Sequence, residues 1–277
     1  MAHGSPLTVH GLVKRYKRLT VLRGINMVLE RGDKAVIVGP NGSGKTTLIR
    51  CLLGFTAPAS GKILVYGYEP RSRGFDRVRR RIGYMPEGTP LSARIRVGDY
   101  LDYVAELRGC RSCSDAAATM GLQQKLDYKI GALSQGLKRR LLLASALCCD
   151  PELLILDEPY ANIDISTRLL IDRVLAGLDD ERTLLITTHV RPRIGDYKIY
   201  ALIDGRLEAL GEMSDEGVVA ELDCGGRVEK VRVTVSGRGL DTLEGLIRQG
   251  CRLTGLRPYV FEDMLQELLV GHSGDGA

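Results

Sequence analysis

The stretch GPNGSGKTT, residues 39–47, constrains the fold of this chain more than any other feature of its sequence. It follows the apolar run KAVIVG (34–39) and leads into TTLIRCLLG (46–54), which has helical character. Glycines at such a junction let the backbone curl so that its amides point at phosphate oxygens, and the new helix adds its dipole. The pattern G-x-x-x-x-G-K-[ST] in this setting predicts a nucleotide phosphate loop rather than a glycine turn with an incidental lysine.

Two side chains of this loop have specific expected tasks. Lys45 contributes a point charge to the β and γ phosphates, and Thr46 offers its hydroxyl to Mg²⁺. The predicted nucleotide-binding residues of the loop are Gly39, Pro40, Asn41, Gly42, Ser43, Gly44, Lys45, Thr46 and Thr47.

A second element with chemical potential is LLILDEP (153–159), in which two carboxylates follow an apolar run. If its strand neighbours that of the phosphate loop, Asp157 would hold Mg²⁺, and Glu158 would orient or deprotonate the attacking water. The alternative is a solvated acidic pair. His189 ends the apolar run TLLITTH (183–189) and is a candidate sensor of the γ phosphate, although a lone histidine is more often structural.

The pattern along the chain predicts an α/β fold with a largely parallel sheet. Further strands are expected at KILVYG (62–67) and KIYALID (198–204), and a helix at 164–178. Strand patterns stop between Glu87 and Leu133, which indicates a helical insert of about residues 88–150.

The length of 277 residues allows one large domain, expected at 5–225, and a small accessory region at 226–277. In that region KVRVTV, LDTLEGLIRQG and VFEDMLQELL suggest a β/α unit, followed by a frayed GHSGDGA. No run approaches the roughly 20 apolar residues of a spanning helix. We therefore expect a cytoplasmic protein that touches a membrane only through a partner.

The net charge of +5 is too small to require a nucleic-acid partner. The basic stretch RSRGFDRVRRR (71–81) has six arginines but little aromatic content for stacking. A solvated basic face, near lipid headgroups, is favoured over a nucleic-acid site.

Seven scattered cysteines do not form the pattern of a secreted disulfide framework. Cys148 and Cys149 are predicted to be small buried residues on a helix. Cys110 and Cys113 in CRSC suggest metal or redox chemistry, but no second C-x-x-C or nearby histidine supplies further ligands. An ordinary loop is the favoured interpretation.

Taken in order, these motifs resemble the nucleotide-binding subunit of ABC transporters over about residues 7–212. The resemblance rests on Tyr16, the loop at 39–47, IGYMPE (82–87), LSQG (133–136), LLILDEP, ANID (161–164) and ITTH (186–189). It implies a P-loop NTPase fold with N-terminal antiparallel strands, a mainly parallel core sheet, a helical subdomain and a small C-terminal β/α extension.

The resemblance also implies roles for individual residues. Tyr16 would stack on adenine, Asp164 would lie in the loop that crosses the dimer, and His189 would be the switch histidine. The signature residues would contact the ATP held by the opposite subunit; they are Ser134, Gln135 and Gly136. Physically, Ser134 offers an N-cap hydroxyl and its helix dipole favours a phosphate, although Ser134 could merely cap its own helix.

Two positions depart from the family pattern. Many family members have LSGGQ where this chain has Gln135 and Leu137, and many have glutamine where this chain has Glu87. A carboxylate at position 87 can ligate Mg²⁺, as Thr46 and Asp157 are expected to do, but it repels the γ phosphate more than an amide would.

The phosphate loop and the two carboxylates predict an ATP-hydrolysing protein with ATP and Mg²⁺ as ligands. The resemblance further implies a subunit that forms a homodimer around two ATP molecules and drives separate transmembrane permease subunits of the ABC-2 or multidrug exporter type from the inner face of the membrane. The alternative is a soluble, non-transport ABC ATPase that acts as an assembly or nucleic-acid factor.

Overall fold

The computed structural model divides the chain into two units, Met1–Glu212 and Met213–Ala277. The structure describes residues 4–88, 91–190, 192, 196–212, 217–234 and 240–258. The second unit begins before the predicted boundary at residue 226, because strand β10 (Gly217–Asp223) pairs with the other strands of that unit.

The first unit is built around a six-stranded sheet. In spatial order its strands are β5 (Ile82–Met85), β6 (Leu153–Asp157), β7 (Thr183–Thr187), β3 (Lys34–Val38), β8 (Lys198–Ile203) and β9 (Arg206–Glu212). Neighbouring strands are parallel except β8 and β9, which are antiparallel. Every residue of β6 and β7 is buried, which confirms the prediction of apolar strands covered on both faces.

A second sheet in this unit is antiparallel. Its strands, in spatial order, are β2 (Leu19–Leu29), β1 (Leu7–Tyr16) and β4 (Ser60–Val65). The predicted strand at 62–67 therefore belongs to this sheet and not to the parallel one. Only Ile63 and Val65 of β4 are fully buried, so the strand has one core face, as an antiparallel sheet allows.

Helices connect and cover these sheets. In chain order they are α1 (Lys45–Leu52), α2 (Asp76–Arg79), α3 (Val97–Arg108), α4 (Ser114–Thr119), α5 (Gln135–Leu147) and α6 (Ile165–Ala176). Because α3, α4 and α5 lie between β5 and β6 in the chain, the predicted helical insert is confirmed. One hydrophobic core joins both sheets through α1 and includes Leu12, Leu48 and Ile155.

The basic stretch at 71–81 contributes to packing as well as to the surface. Phe75 and Val78, in and beside α2, are buried. The Arg81 guanidinium lies 3.5 Å from the centre of the Tyr66 ring and forms a bidentate pair with Glu152. Arg81 therefore serves the fold of this unit.

The second unit contains a three-stranded antiparallel sheet and one described helix. Its strands, in spatial order, are β11 (Val228–Thr234), β10 and β12 (Arg252–Pro258), and the helix is α7 (Leu240–Arg248). Ala220, Leu222 and Val231 form its core. This confirms a small β/α unit, whereas the predicted elements at 260–269 and 271–277 lie outside the described residues. In the portion of the chain that is described, no helix combines the length and apolar character needed to cross a membrane.

The cysteines depart most from the sequence-based expectations. The disulfides are Cys110–Cys149, Cys113–Cys148 and Cys224–Cys251, and Cys51 is free. The predicted helical placement of Cys148 and Cys149 is wrong, since α5 ends at Leu147 and Cys149 has a left-handed φ of 63°. The CRSC segment does connect α3 to α4, but it is cross-linked to residues 35 and 39 positions away.

Candidate nucleotide-binding site

The phosphate loop joins the end of β3 to the start of α1. Gly42 and Gly44 have φ of 85° and 109°, values that residues other than glycine rarely adopt. A Cβ at Gly44 would also lie 2.9 Å from Leu22 Cδ2. Because Gly44 is the N-cap of α1, the backbone curls immediately before a helix N-terminus, as the phosphate-binding prediction requires.

Lys45 is folded back into this loop. Its Nζ donates to the carbonyl oxygens of Gly39, at 2.8 Å, and Pro40, at 3.3 Å. The same Nζ lies 3.4 Å from Oε1 of Glu158, and both side chains are 7% exposed. Neutral carbonyls and one carboxylate thus hold this cation inside the loop.

Asp157 and Glu158 stand at the end of β6. Oδ1 of Asp157 accepts a hydrogen bond of 2.5 Å from the hydroxyl of Thr187, at the end of β7. The amide of Glu158 donates to the Thr187 carbonyl at 2.9 Å, and Glu158 has a left-handed φ of 48°. The Glu158 carboxylate reaches the phosphate loop through its contact with Lys45.

The strand order differs from the condition set in the sequence analysis, in which the strand of LLILDEP neighbours that of the phosphate loop. β6 does not neighbour β3, because β7 lies between them. His189 directly follows β7 and contacts Glu158 at the end of β6. Its Nδ1 lies 2.9 Å from Oε2 of Glu158, while its side chain is 56% exposed. The three strand ends thus bring Lys45, Glu158 and His189 together.

Arg139 is a site residue that sequence reasoning missed. This buried side chain of α5 donates to the carbonyl oxygens of Glu87 and, at 3.1 Å, Glu158. A longer bond of 3.4 Å reaches the carbonyl of Ala161. Burial lowers the pKa of Arg139, an effect opposed by the charges of Glu87, Glu158 and Asp157. The signal was an arginine four residues after Gln135 on the same predicted helix, but its partners lie far away in sequence.

The LSQG segment begins α5. Ser134 is the N-cap and its Oγ accepts a 3.3 Å bond from the Leu137 amide, so it caps its own helix. Ser134 and Gln135 are exposed, whereas Gly136 is buried. A Cβ at Gly136 would lie 2.7 Å from Thr167 Oγ1 and 2.8 Å from Asp164 Oδ2. A side chain at this position would therefore displace the side chains of Thr167 and Asp164 in the same chain.

Asp164 is the N-cap of α6. It accepts bonds from the Thr167 amide, at 2.8 Å, and the Ser166 hydroxyl, at 2.6 Å. These donors lower the pKa of Asp164 to about 2, the Ser166 bond contributing most. Its carboxylate thus remains charged beside the start of α5.

The other predicted residues lie around this centre. Tyr16 ends β1, is 42% exposed and has Lys14 Nζ 4.7 Å from its ring centre. Glu87 is exposed after β5. In the loop, Pro40, Asn41 and Gly42 are exposed, Ser43 is buried, and Thr46 and Thr47 are half-buried in the first turn of α1.

Three buried oxygen atoms around the loop have no hydrogen-bond partner among the described residues. They are Ser43 Oγ, Asp157 Oδ2 and Glu158 Oε1, although Glu158 Oε1 has an ion pair with Lys45. Burying Ser43 Oγ and Asp157 Oδ2 without hydrogen bonds is unfavourable, so these two atoms indicate a polar ligand. Carboxylate and hydroxyl oxygens suit a hard divalent cation and a phosphate group. Fold and site together define a P-loop nucleoside triphosphatase.

Comparisons with known proteins narrow this class. A family model described as ABC transporter matches residues 22–161. The Nod factor export ATP-binding protein I of Ralstonia nicotianae is 36% identical over 228 residues, covering 79% of this chain and 70% of that protein. The protein of the same name from Burkholderia pseudomallei is 35% identical over 192 residues, covering 67% of this chain and 63% of its own length. The dimeric structure of MJ0796, a bacterial ABC transporter cassette, has a TM-score of 0.68 at 22% identity, covering 75% of this chain and 98% of that one.

The chain therefore belongs to the ABC transporter family. It carries the ATP-binding cassette of that family, and its enzymatic class is ATPase.

Proposed function

We propose that this chain is the ATP-hydrolysing subunit of an exporter whose membrane-spanning part consists of separate permease chains. The relatives from Ralstonia nicotianae and Burkholderia pseudomallei are export ATP-binding proteins, which supports the direction of transport. In this role the protein lies in the cytoplasm, held at the inner face of the membrane by its permease. The observation that carries the proposal is the convergence of Lys45, Glu158 and His189 at one edge of the six-stranded sheet.

The same edge suits Mg²⁺. The hydroxyl of Thr46 and the carboxylates of Asp157 and Glu87 would hold the ion, and the partnerless Oδ2 of Asp157 supports this assignment. When bound, Mg²⁺ neutralises charge on the β and γ phosphate oxygens.

Glu158, His189 and Arg139 would have separate roles in the hydrolysis of ATP. Glu158 Oε1 faces Lys45, so phosphate oxygens that attract Lys45 release this carboxylate to orient water and accept its proton. Oε2 meanwhile holds the ring of His189, whose exposed side would face the γ phosphate. Arg139 links the carbonyls of Glu87 and Glu158, and thereby positions the segments that follow β5 and β6.

A second, identical chain would complete each site. Ser134 and Gln135 are exposed at the N-terminus of α5, where the helix dipole favours a negative ligand. Gly136, in contrast, packs against Thr167 and Asp164 of its own chain. We therefore assign the contact with the neighbour's ATP to Ser134 and Gln135, and the positioning of this helix to Gly136.

The decisive experiment is purification of the tagged full-length chain from detergent-solubilised membranes of its native cells. We expect an integral membrane protein at a fixed ratio to the chain, and ATP hydrolysis that is slowed by roughly 10²- to 10⁴-fold in the Glu158→Gln variant purified in parallel. Recovery of the active chain only in the soluble fraction, bound to nucleic acid or an assembly partner, would establish the non-transport alternative instead.

A further inference from the structure

Four of the seven cysteines meet at one point in the first unit. Cys110 and Cys113 come from the connection between α3 and α4, and Cys148 and Cys149 directly follow α5. They form two adjacent disulfides, and the sulfurs of Cys110 and Cys149 lie 3.7 Å and 3.6 Å from that of Cys148 without being bonded to it. The C-x-x-C segment thus has the two further sulfur ligands that its sequence neighbourhood lacks.

We propose that Cys110, Cys113, Cys148 and Cys149 bind a single Zn²⁺ ion as thiolates when both disulfides are reduced. A tetrahedral ion with Zn–S bonds near 2.3 Å places its sulfur ligands about 3.8 Å apart. The two non-bonded separations at Cys148 already have this value within about 0.2 Å. The sulfurs of Cys110, Cys148 and Cys149 all lie within 4.8 Å of one another. The sulfur of Cys113 is bonded to that of Cys148 and lies outside this group of three, so the Cys113 side chain would have to turn toward the other sulfurs on reduction.

The backbone between α5 and β6 is arranged around this cluster. Cys149 and Asp150 are consecutive non-glycine residues with left-handed φ of 63° and 51°. Such conformations are unfavourable alone and concentrate at functional sites. Here the turn brings two adjacent cysteines to one centre. Arg108 donates to the carbonyl of Ala146 at 2.9 Å, and Ala146 lies two residues before Cys148 in the chain.

The cluster is accessible. Cys113 and Cys148 are buried, but Cys110 and Cys149 are only half-buried. A cleft of about 780 Å³ is lined by Cys113, Cys148 and Cys149, together with Ser112 and Arg182. An ion and a small reductant can therefore reach the sulfurs without unfolding of the core.

The chemistry balances with a dithiol as the reductant. Each disulfide accepts two electrons and two protons from one dithiol, which itself becomes a disulfide. The four resulting thiols then lose their protons to solvent as Zn²⁺ binds, so the bound complex has a net charge of −2. The inference goes beyond the proposed function and depends on it only for the compartment, since cytosolic thiols are kept reduced and clustered cysteines there more often bind metal.

The site would join two functional elements. α5 begins at the signature residue Ser134 and ends at the cluster, and β6 leads from the cluster to Asp157. A bound ion would thus fix the far end of the signature helix to the α3–α4 connection. The isolated pair Cys224–Cys251 in the second unit has no such neighbours in the described chain and provides a matched control.

The test uses the full-length chain reduced with a phosphine, desalted under argon and titrated with Co²⁺. We expect one Co²⁺ to bind per chain, with release of up to about four protons and the visible absorption of a tetrahedral thiolate site. One equivalent of Zn²⁺ should then displace the Co²⁺ and abolish this absorption without further proton release. Cys224→Ser should bind identically, whereas Cys110→Ser and Cys149→Ser should bind about tenfold more weakly or worse. Circular dichroism checks that the half-buried variants fold, and no ATP is present, so the result is independent of the transport assignment.

Two results would overturn the proposal. One is a reduced wild-type chain that shows no tetrahedral Co²⁺ spectrum. The other is unchanged Co²⁺ binding by the Cys110→Ser and Cys149→Ser variants. Either would leave the four cysteines as a pair of disulfide cross-links.

Discussion

Lys45 and Glu158 form a buried ion pair, with Nζ 3.4 Å from Oε1, across the ends of two strands that are not neighbours. Glu158 has a left-handed backbone, with a φ of 48°. A conformation of this kind persists only when its surroundings enforce it, as the bonds to Thr187 do here. Phosphate binding at Lys45 therefore competes directly with the pairing of Lys45 to Glu158.

Replacing Lys45 by alanine should nearly abolish ATP binding, because the loop loses its point charge for the phosphates. The nucleotide-free protein should also lose about 1–3 kcal/mol of unfolding free energy, since Glu158 is left buried without its counter-charge. Titration with a fluorescent ATP analogue and urea unfolding measure the two effects. The double variant Lys45→Ala/Glu158→Gln is the control: it should regain stability but not ATP binding. Wild-type affinity in Lys45→Ala would contradict the site assignment.

Glu158→Gln should keep ATP and Mg²⁺ binding while slowing hydrolysis by roughly 10²- to 10⁴-fold, the usual scale for loss of a general base. The amide retains the size of the side chain and a contact for His189, so the loss is chemical rather than structural. Single-turnover hydrolysis beside equilibrium ATP binding separates the two. A variant that hydrolyses at the normal rate would place the base elsewhere.

Glu87 is predicted to serve Mg²⁺ binding and coupling through its carboxylate. Glu87→Gln should retain ATPase activity in the isolated subunit, because many family members have the amide. Glu87→Ala should impair the rate measured with the permease. If alanine leaves coupled turnover intact, position 87 contributes only its backbone carbonyl, which Arg139 binds in any case.

Arg139→Gln should lower the unfolding free energy by about 2–4 kcal/mol, because carbonyls of Glu87 and Glu158 lose a charged donor in a buried setting. The rate of hydrolysis should fall more than the affinity for ATP, because the segments that carry the carboxylates of Glu87 and Glu158 lose the Arg139 side chain that joins them. Arg140→Gln is the matched control, because this neighbouring guanidinium bonds to the Thr167 hydroxyl rather than to the carbonyls of Glu87 or Glu158. Equal losses in the two variants would argue against a specific role for Arg139.

Mixed dimers test whether Ser134 serves the neighbour's ATP. Lys45→Ala and Ser134→Arg should each be inactive as homodimers, since every composite site carries one defect. A dimer of one chain of each kind has one intact site and one doubly defective site. Binding of non-hydrolysable ATP and dimer formation should therefore return, and the lost bond of about 1.5–3 kcal/mol is large enough to detect.

Purified mixed dimers that recover nothing would show that Ser134 acts within its own chain. Its bond to the Leu137 amide makes that outcome physically reasonable, since the hydroxyl already has a partner in the single chain. Binding is measured rather than turnover, because hydrolysis could require both sites.

The sequence by itself determined the features that arise from local backbone chemistry. The glycines of 39–47 specify a curled loop, and the apolar runs ending at Asp157 and Thr187 specify strands buried on both faces. Sequence also located the helical insert between β5 and β6 and the helix that begins after Ser134. These features depend on residues adjacent in the chain, so their periodicity and turn chemistry carry the information.

Only the tertiary structure decided which of these elements meet. It placed β7 between the two functional strands, paired Lys45 with Glu158, and set the Arg139 guanidinium against carbonyls 52 and 19 residues away. It also moved residues 62–65 into the antiparallel sheet. The same holds for the four cysteines, whose two pairs lie more than 30 residues apart and gain a common centre only where α5 ends beside the α3–α4 connection. Such contacts are chosen by burial and strand pairing over the whole domain, and no local pattern encodes them.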